Sequence, residues 1–195
     1  MTGLAAVLLL AGVAIALLSL IVVHLLPTGL NPVRDPVSQY GITSYRGWYW
    51  SAAGGAAVAG IGGVLFFAPT GGVISTVTIV LLAVFAVARA AIGFFPMDAP
   101  GSGRTGTGRT HNLLATAAFA SVTAAAFTGA GALHDAGFPD ASAWSTACGV
   151  VMAVGAIGVL ITARRERLGL FGLTERIIYL GFLAWFVLLG VLALS

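Results

Sequence analysis

The sequence predicts an all-α, polytopic integral membrane protein in which six transmembrane helices form one bundle. The first observation is composition: 59% of the residues are hydrophobic and 8% are charged, whereas about a quarter of a soluble domain is charged. The second is that six apolar stretches each reach the roughly 20 residues that a helix needs to cross a bilayer core. These stretches use most of the chain, so we expect a single membrane domain over residues 1–195.

The third observation is the distribution of arginine. Eight of the nine arginines fall into the first, third and fifth loops of a six-helix arrangement. Because cytoplasmic loops are enriched in basic residues, these loops are predicted to be cytoplasmic, and both termini to lie on the outer side of the cell membrane. The eight are Arg34, Arg46, Arg104, Arg109, Arg164, Arg165, Arg167 and Arg176.

The expected helices are bounded by prolines, interfacial aromatic residues and turns. Helix one ends before Pro27, and helix two opens on Trp48, Tyr49 and Trp50, an aromatic anchor typical of the membrane–water interface. A short turn around 69–72 joins helices two and three. The predicted spans are about 3–26, 48–68, 73–95, 110–133, 142–163 and 175–194.

The later helices carry signals at their ends and on their faces. Helix three stops before Pro96, and helix four starts near Thr110. Thr174 is predicted to cap helix six, with Glu175 in its first turn, where a carboxylate complements the helix dipole. Helices two and five carry small residues at spacings of three and four, which allow close helix packing and, on an exposed face, oligomerisation.

Loop one, between helices one and two, has the pattern of a short interfacial helix. Asp35 is a favourable N-cap, Pro36 suits the first helical position, and Gly41 can end the turn. We therefore expect a short helix from Pro36 to Tyr40. Ser38, within it, is either solvated or a nucleophile.

Arg89 is the most specific polar signal, because it lies inside the third apolar stretch. It precedes Pro96 by seven residues, which places it about 10 Å below the helix end at roughly 1.5 Å per residue. An unpaired guanidinium there costs roughly 3 kcal/mol. Arg89 is therefore expected either to face the bundle and pair with Asp98, Glu175 or Asp35, or to extend its side chain to the headgroups.

Loop three combines glycine-rich sequence with charge. The segment 103–110 imitates a phosphate-binding loop with arginine in place of lysine, but no strand precedes it, so nucleotide hydrolysis is excluded. Two interpretations stay open. Backbone N–H groups at the start of helix four could bind an anion such as a lipid phosphate, or the segment could be a mobile linker.

His111 raises the question of catalysis. A hydrolase built from Ser38, His111 and Asp98 contains the right residue types, but no nucleophile-elbow pattern surrounds Ser38. A mixed site of His111 with carboxylates is conceivable, but zinc sites usually take about three protein ligands, mostly His or Cys. We predict no metal and no cofactor.

The chain resembles a bacterial and archaeal six-helix family, domain of unknown function 998, over nearly its whole length. The resemblance is carried by 31–41, Arg89, 95–98, 107–108, His111 and 172–176. It implies the six-helix fold and a shared polar constellation, and no activity. That constellation comprises Arg34, Asp35, Ser38, Arg89, Asp98, His111 and Glu175. Loop one is also loosely similar to eukaryotic six-helix proteins of the Frag1/DRAM/Sfk1 group, some of which are linked to membrane lipid handling.

Three functions follow as hypotheses. The leading one is a non-enzymatic membrane protein that binds a lipid headgroup or small anion at the polar constellation on its cytoplasmic face. The second is an intramembrane lipid hydrolase or transferase that uses His111 with Ser38 or a metal-bound water. The third is a small anion transporter. Anionic membrane lipids are the expected partners, and nucleic acid is not, because the chain has no long basic tract.

Overall fold

The computed structural model describes residues 3–194, without the side chain of Glu166. Six α-helices in this part of the chain are long and apolar enough to cross a membrane. They are α1 (Gly3–Leu25), α2 (Arg46–Phe67), α3 (Gly72–Ala91), α4 (Gly106–Asp135), α5 (Pro139–Arg164) and α6 (Phe171–Leu192). Short 3-10 helices occupy Val37–Ile42, Ile92–Phe94 and Glu166–Leu168.

The six predicted apolar helices are confirmed, and the largest boundary errors, four residues each, lie at the starts of α4 and α6 and at the end of α3, where the chain continues as the 3-10 helix Ile92–Phe94. No cap was predicted for α4, and the cap predicted for α6 is wrong. The α4 cap is Thr105, whose Oγ1 accepts a hydrogen bond from the Gly108 amide at 3.0 Å. Thr174 lies inside α6 and is not its cap: its amide donates to the Leu170 carbonyl at 3.0 Å.

Each helix packs against its neighbours in the chain, and α6 packs back onto α1 to close the bundle. Small residues set the closest approach, which lies between α1 and α2. A Cβ on Gly12 would lie 2.6 Å from the Gly55 carbonyl oxygen, so neither backbone can retreat without separating the helices. The small residues of α2 are thus used inside the chain.

Aromatic rings fill the centre of the bundle. The centroid of the Phe85 ring on α3 lies 5.6 Å from that of Phe182 and 5.5 Å from that of Phe186, both on α6. Trp185 is fully buried beside them. Its indole Nε1 donates to Ser145 Oγ at 2.8 Å, which satisfies the ring nitrogen away from water. The centre is therefore a packed core of ring pairs.

Loops one, three and five meet at one end of the bundle, which we call the arginine-rich end. Ser38 of loop one contacts Met97 of loop three, and Val33 of loop one bonds Leu173 at the start of α6. The first residues of α1 lie at the opposite end, since Gly190 near the end of α6 approaches Leu9 and Leu10. Polar loops far apart in sequence are thus brought together.

Candidate functional site

Arg176 is the structural hub of the arginine-rich end. Its Nε donates to His24 Nε2 at 2.9 Å, and its Nη1 donates to the carbonyl oxygens of Asp35 at 3.0 Å and Gly172 at 2.9 Å. Its Nη2 lies 3.5 Å from the Tyr40 hydroxyl. One guanidinium therefore ties α1, loop one and α6 together.

The bonds of Arg176 and of a backbone carbonyl fix the tautomer of His24. His24 Nδ1 lies 2.6 Å from the Leu20 carbonyl oxygen, which can only accept, so Nδ1 carries the proton. Nε2 is then the acceptor for Arg176 Nε–H. The ring is neutral in this arrangement and packs 5.0 Å from the Tyr40 ring.

Loop one caps the beginning of α6 with its backbone. The amides of Gly172 and Leu173 donate to the carbonyl oxygens of Arg34 at 3.2 Å and Val33 at 2.8 Å. First-turn amides have no partner within their own helix, and these carbonyls supply it. A Cβ at Gly172 would collide with the Asp35 carbonyl oxygen, so glycine is required for this approach.

Glu175 provides a further hydrogen bond between α6 and loop one, from inside the bundle. Its side chain is buried, and its Oε2 accepts a hydrogen bond from the Val37 amide at 2.7 Å. It lies in electrostatic range of both Arg176 and Arg89. Glu175 was predicted in the first turn of α6, whereas the observed helix starts at Phe171 and places it one turn further on.

Arg89 is buried near the arginine-rich end of α3, with 1% of its surface exposed. Of the two alternatives that the sequence left open, the structure has the side chain that faces the bundle and not the one that extends to the headgroups. The Arg89 Cζ lies 5.3 Å from the centroid of the Tyr179 ring. Tyr49 and Glu175 are within electrostatic range.

The predicted carboxylate partner of Arg89 is wrong. Among the side chains that the structure describes, the recorded ion pair joins Arg34 and Asp35, and Arg89 Nε and Nη2 are buried with no hydrogen-bond partner. These two nitrogens form one edge of the planar guanidinium, the edge that grips a carboxylate or phosphate with two parallel hydrogen bonds. The structure therefore holds a bidentate donor edge that no described protein group satisfies.

A crevice adjoins Arg89 between α2 and α3. Its volume is about 190 Å³. It is lined by Trp50, Ala53, Gly54, Arg89, Ala90, Gly93 and Phe94. The Trp50 ring packs beside Gly93, where a Cβ would lie 3.3 Å from Trp50 Cδ1, and the Arg46 guanidinium lies 5.3 Å from that ring.

Asp98 belongs to loop three and not to the Arg89 site. Its Oδ1 accepts from the Thr105 hydroxyl at 2.6 Å, and its Oδ2 accepts from the Thr105 amide at 3.2 Å. These hydrogen bonds, side chain first, hold the pKa of Asp98 below its usual value. Because this carboxylate already stands beside the start of α4, the glycine-rich loop is not the anion site that we favour.

His111 and Ser38 are hydrogen-bonded to other groups and not to each other. His111 Nδ1 lies 2.8 Å from the Phe95 carbonyl oxygen and donates to it, while Ser38 Oγ donates to Met97 Sδ at 3.3 Å. Asp98 is in electrostatic range of His111 but is hydrogen-bonded to Thr105. Across residues 3–194, no three described His, Cys, Asp or Glu side chains gather as a metal site requires.

Arg34 and Asp35 lie at the surface of loop one. Arg34 Nε is 3.5 Å from Asp35 Oδ1, with 67% of the arginine side chain exposed. A short helix was predicted from Pro36 to Tyr40 with Asp35 as its cap; a short helix is present, whereas the Asp35 cap is wrong. Asp35 Oδ2 accepts from the Asn31 amide at 2.7 Å, and the 3-10 helix runs over Val37–Ile42 with Pro36 at its cap.

The seven predicted site residues thus divide into separate groups. Arg89, Glu175 and His111 lie near one another in electrostatic range, whereas Arg34 and Asp35 pair at the surface. The aromatic residues beside Arg89, namely Tyr49, Tyr179 and Trp50, were not predicted to be part of a site. A buried arginine among tyrosines could have been suspected from the interfacial aromatic run on α2.

Comparison with protein-family models gives a match over residues 10–192 to the family described as "Protein of unknown function (DUF998)". No curated protein and no solved structure gives a significant match. The resemblance to the Frag1/DRAM/Sfk1 group has no support from these comparisons and stays an expectation.

Proposed function

The chain belongs to this family of unknown function, whose description names no activity, and we propose from the site itself that the protein binds an oxyanion at Arg89. The oxyanion is the phosphate or carboxylate of a lipid headgroup or of a small anion. In this proposal the arginine-rich end faces the cytoplasm and the protein is a multi-pass, non-enzymatic component of the cell membrane. The observation that carries the proposal is the buried, unpartnered Nε and Nη2 edge of Arg89.

The energetics make such an edge costly unless a ligand uses it. A buried charge without a partner costs several kcal/mol, and replacing buried ionic groups by apolar side chains is often neutral or stabilising by about 1–4 kcal/mol. The Tyr179 ring offsets part of this cost through a cation–π contact, worth roughly 2 kcal/mol when desolvated. An oxyanion on the open edge would add two charge-assisted hydrogen bonds, the strong class in proteins.

The other groups of the arginine-rich end have supporting roles in this proposal. Glu175 and Arg176 hold loop one against α6, close to Arg89, through the bonds to the Val37 amide and the Asp35 carbonyl. The exposed arginines of loop three raise the local positive potential, which concentrates anionic lipids near the site. Arg34 contributes to this field from the surface and is not a direct ligand of the anion.

The enzymatic and transport alternatives lack a comparable observation. The Ser38 hydroxyl and the Asp98 carboxylate are each engaged with a neighbour other than His111. A transporter usually binds its substrate near the midplane at interrupted helices. Here the centre is filled by Phe85, Phe182 and Phe186.

Native mass spectrometry of the detergent-purified protein tests the proposal. We expect the wild type to retain an anionic lipid that Arg89→Met loses, whereas Arg165→Met, a change at an exposed loop arginine, retains it. Adding inorganic phosphate or phosphatidic acid to delipidated protein distinguishes a free anion from a headgroup. Identical adducts at identical abundance in all three proteins would overturn the proposal.

A further inference from the structure

The crevice beside Arg89 lies between two of the candidate membrane spans. All of its lining residues fall within the candidate spans Arg46–Phe67 and Gly72–Phe94. None of them belongs to loops one, three or five. An opening between two spanning helices faces lipid, whereas the loops face water.

The size of the crevice limits what it can enclose. Its volume of about 190 Å³ is below the roughly 300–1,000 Å³ of pockets that surround a drug-sized ligand. It therefore accommodates one end of a molecule while the remainder stays outside. A phospholipid meets this condition, because its acyl chains can stay in the bilayer along α2 and α3.

The charge around the crevice selects the headgroup. Arg89 lines it, Arg46 lies above the Trp50 ring at its edge, and its lining includes no acidic residue. Two guanidinium groups favour a phosphate and repel a headgroup that carries its own ammonium group.

From these observations we infer that the ligand is an anionic phospholipid without a headgroup amine, which enters laterally from the bilayer between α2 and α3 and places its phosphate on Arg89. The inference rests on the proposed function and adds the ligand class and the route. The Arg89 donor edge itself is covered, so entry requires side chains at the mouth to move. Trp50 and Phe94, 47% and 82% exposed, are the large side chains positioned to do so.

Glycine 54 offers a way to block the route without disturbing the fold. A Cβ at Gly54 would meet no atom within 4 Å, so Gly54→Leu places a side chain in the crevice without a backbone clash. Ala120→Leu is the matched control, because Ala120 is exposed on α4 and does not line the crevice. Arg89→Met reports on the anion site itself.

The experiment uses photoactivatable phosphatidic acid, with a diazirine at the glycerol end of one acyl chain, in phosphatidylcholine nanodiscs. We expect labelling of α2 and α3 beside the crevice in the wild type and in Ala120→Leu. We expect it to fall about tenfold in Gly54→Leu and Arg89→Met, a change of ~1.4 kcal/mol in binding. Soluble glycerol phosphate should not compete, and a phosphatidylethanolamine probe should label weakly.

The other outcomes separate the two proposals. Labelling lost in Arg89→Met but kept in Gly54→Leu would overturn lateral entry and leave the anion site standing. Competition by glycerol phosphate would do the same, since it indicates access from water. Equal labelling by the ethanolamine probe would overturn the headgroup assignment. Equal labelling in all four proteins would overturn the anion site and the lateral route together.

Discussion

Arg176 and Arg89 lie at the same end of the bundle and differ in almost every contact of the guanidinium. Arg176 donates to a histidine, two backbone carbonyls and a tyrosine hydroxyl. Arg89 is more deeply buried, yet its Nε and Nη2 have no partner. The two arginines therefore share a residue type and differ in whether the protein satisfies the hydrogen-bond donors of the guanidinium.

The comparison predicts opposite changes in the free energy of unfolding when the two side chains are removed. Removing a satisfied guanidinium leaves several acceptors unpaired, whereas removing an unsatisfied one relieves a buried charge. Residues kept at a cost to stability are commonly functional. Four substitutions, taken from the largest expected effect to the smallest, test whether the difference is real.

Arg176→Met should cause the largest loss of stability. It removes the donors to His24 and to the Asp35 and Gly172 carbonyls, and we expect a decrease of about 2–4 kcal/mol in the free energy of unfolding. Denaturant unfolding in detergent measures it. Arg165→Met, at an exposed loop position, is the control and should change stability little. An equal effect of both variants would contradict the structural role of Arg176.

Gly172→Ala should weaken the same region while leaving Arg89 in place. The added Cβ would overlap the carbonyl oxygens of Asp35 and Pro32, so loop one must move, at a cost of about 1–3 kcal/mol. Hydrogen exchange at the Leu173 and Val37 amides should accelerate. Gly106→Ala, at a helix start with open space, should leave those amides protected; unchanged exchange in Gly172→Ala would show that loop one does not dock as described.

Arg89→Met should stabilise the delipidated protein by about 1–2 kcal/mol, because it replaces a buried guanidinium, whose Nε and Nη2 have no hydrogen-bond partner, by an apolar side chain. Thermal unfolding in detergent without lipid measures the shift. Added phosphatidic acid should raise the unfolding temperature of the wild type and not of the variant. A destabilisation as large as that of Arg176→Met would mean that Arg89 is a structural residue.

Asp98→Asn should have the smallest effect, and one that depends on pH. The Thr105 bonds lower the pKa of Asp98 in the folded protein, so its contribution to stability is present above the unfolded-state pKa and is lost as pH falls through the folded-state pKa. Hydrogen exchange at the start of α4 should therefore be slower in the wild type than in the variant at pH 7. The difference should vanish once the pH falls below the lowered folded-state pKa of Asp98, where the carboxyl group is protonated. A difference that persists at that pH would show that the charge of the Asp98 carboxylate does not protect the start of α4.

The fold was predictable because a bilayer demands long apolar runs, and these runs are visible in the sequence. Helix starts were less predictable, since the Gly172 and Leu173 amides are capped by carbonyls of loop one, far away in sequence. The insertion cost of the Arg89 charge left two alternatives, an inward side chain and one extended to the headgroups, and the structure has the first. Its lack of a partner was not predictable, because Asp98 and Asp35 take local hydrogen bonds from Thr105 and Asn31.

The hub around Arg176 illustrates the same limit. In the sequence Arg176 is one of eight loop arginines, and nothing local marks its bonds to His24 or to the Asp35 carbonyl. Those contacts depend on α1, loop one and α6 meeting at one point. Contacts between segments that are distant in the chain are the part of the site that could not be predicted from a single sequence.

Solid-state NMR distance measurement tests the central claim most directly. The protein, with nitrogen-labelled arginine, is placed in bilayers that contain phosphatidic acid, and dephasing of guanidinium nitrogens by lipid phosphorus is compared between the wild type and Arg89→Met. We predict that the difference spectrum contains a buried guanidinium about 4 Å from phosphorus, the separation expected of a bidentate arginine–phosphate pair. Equal dephasing in the wild type and in Arg89→Met, so that all of it comes from the other arginines, would contradict the account.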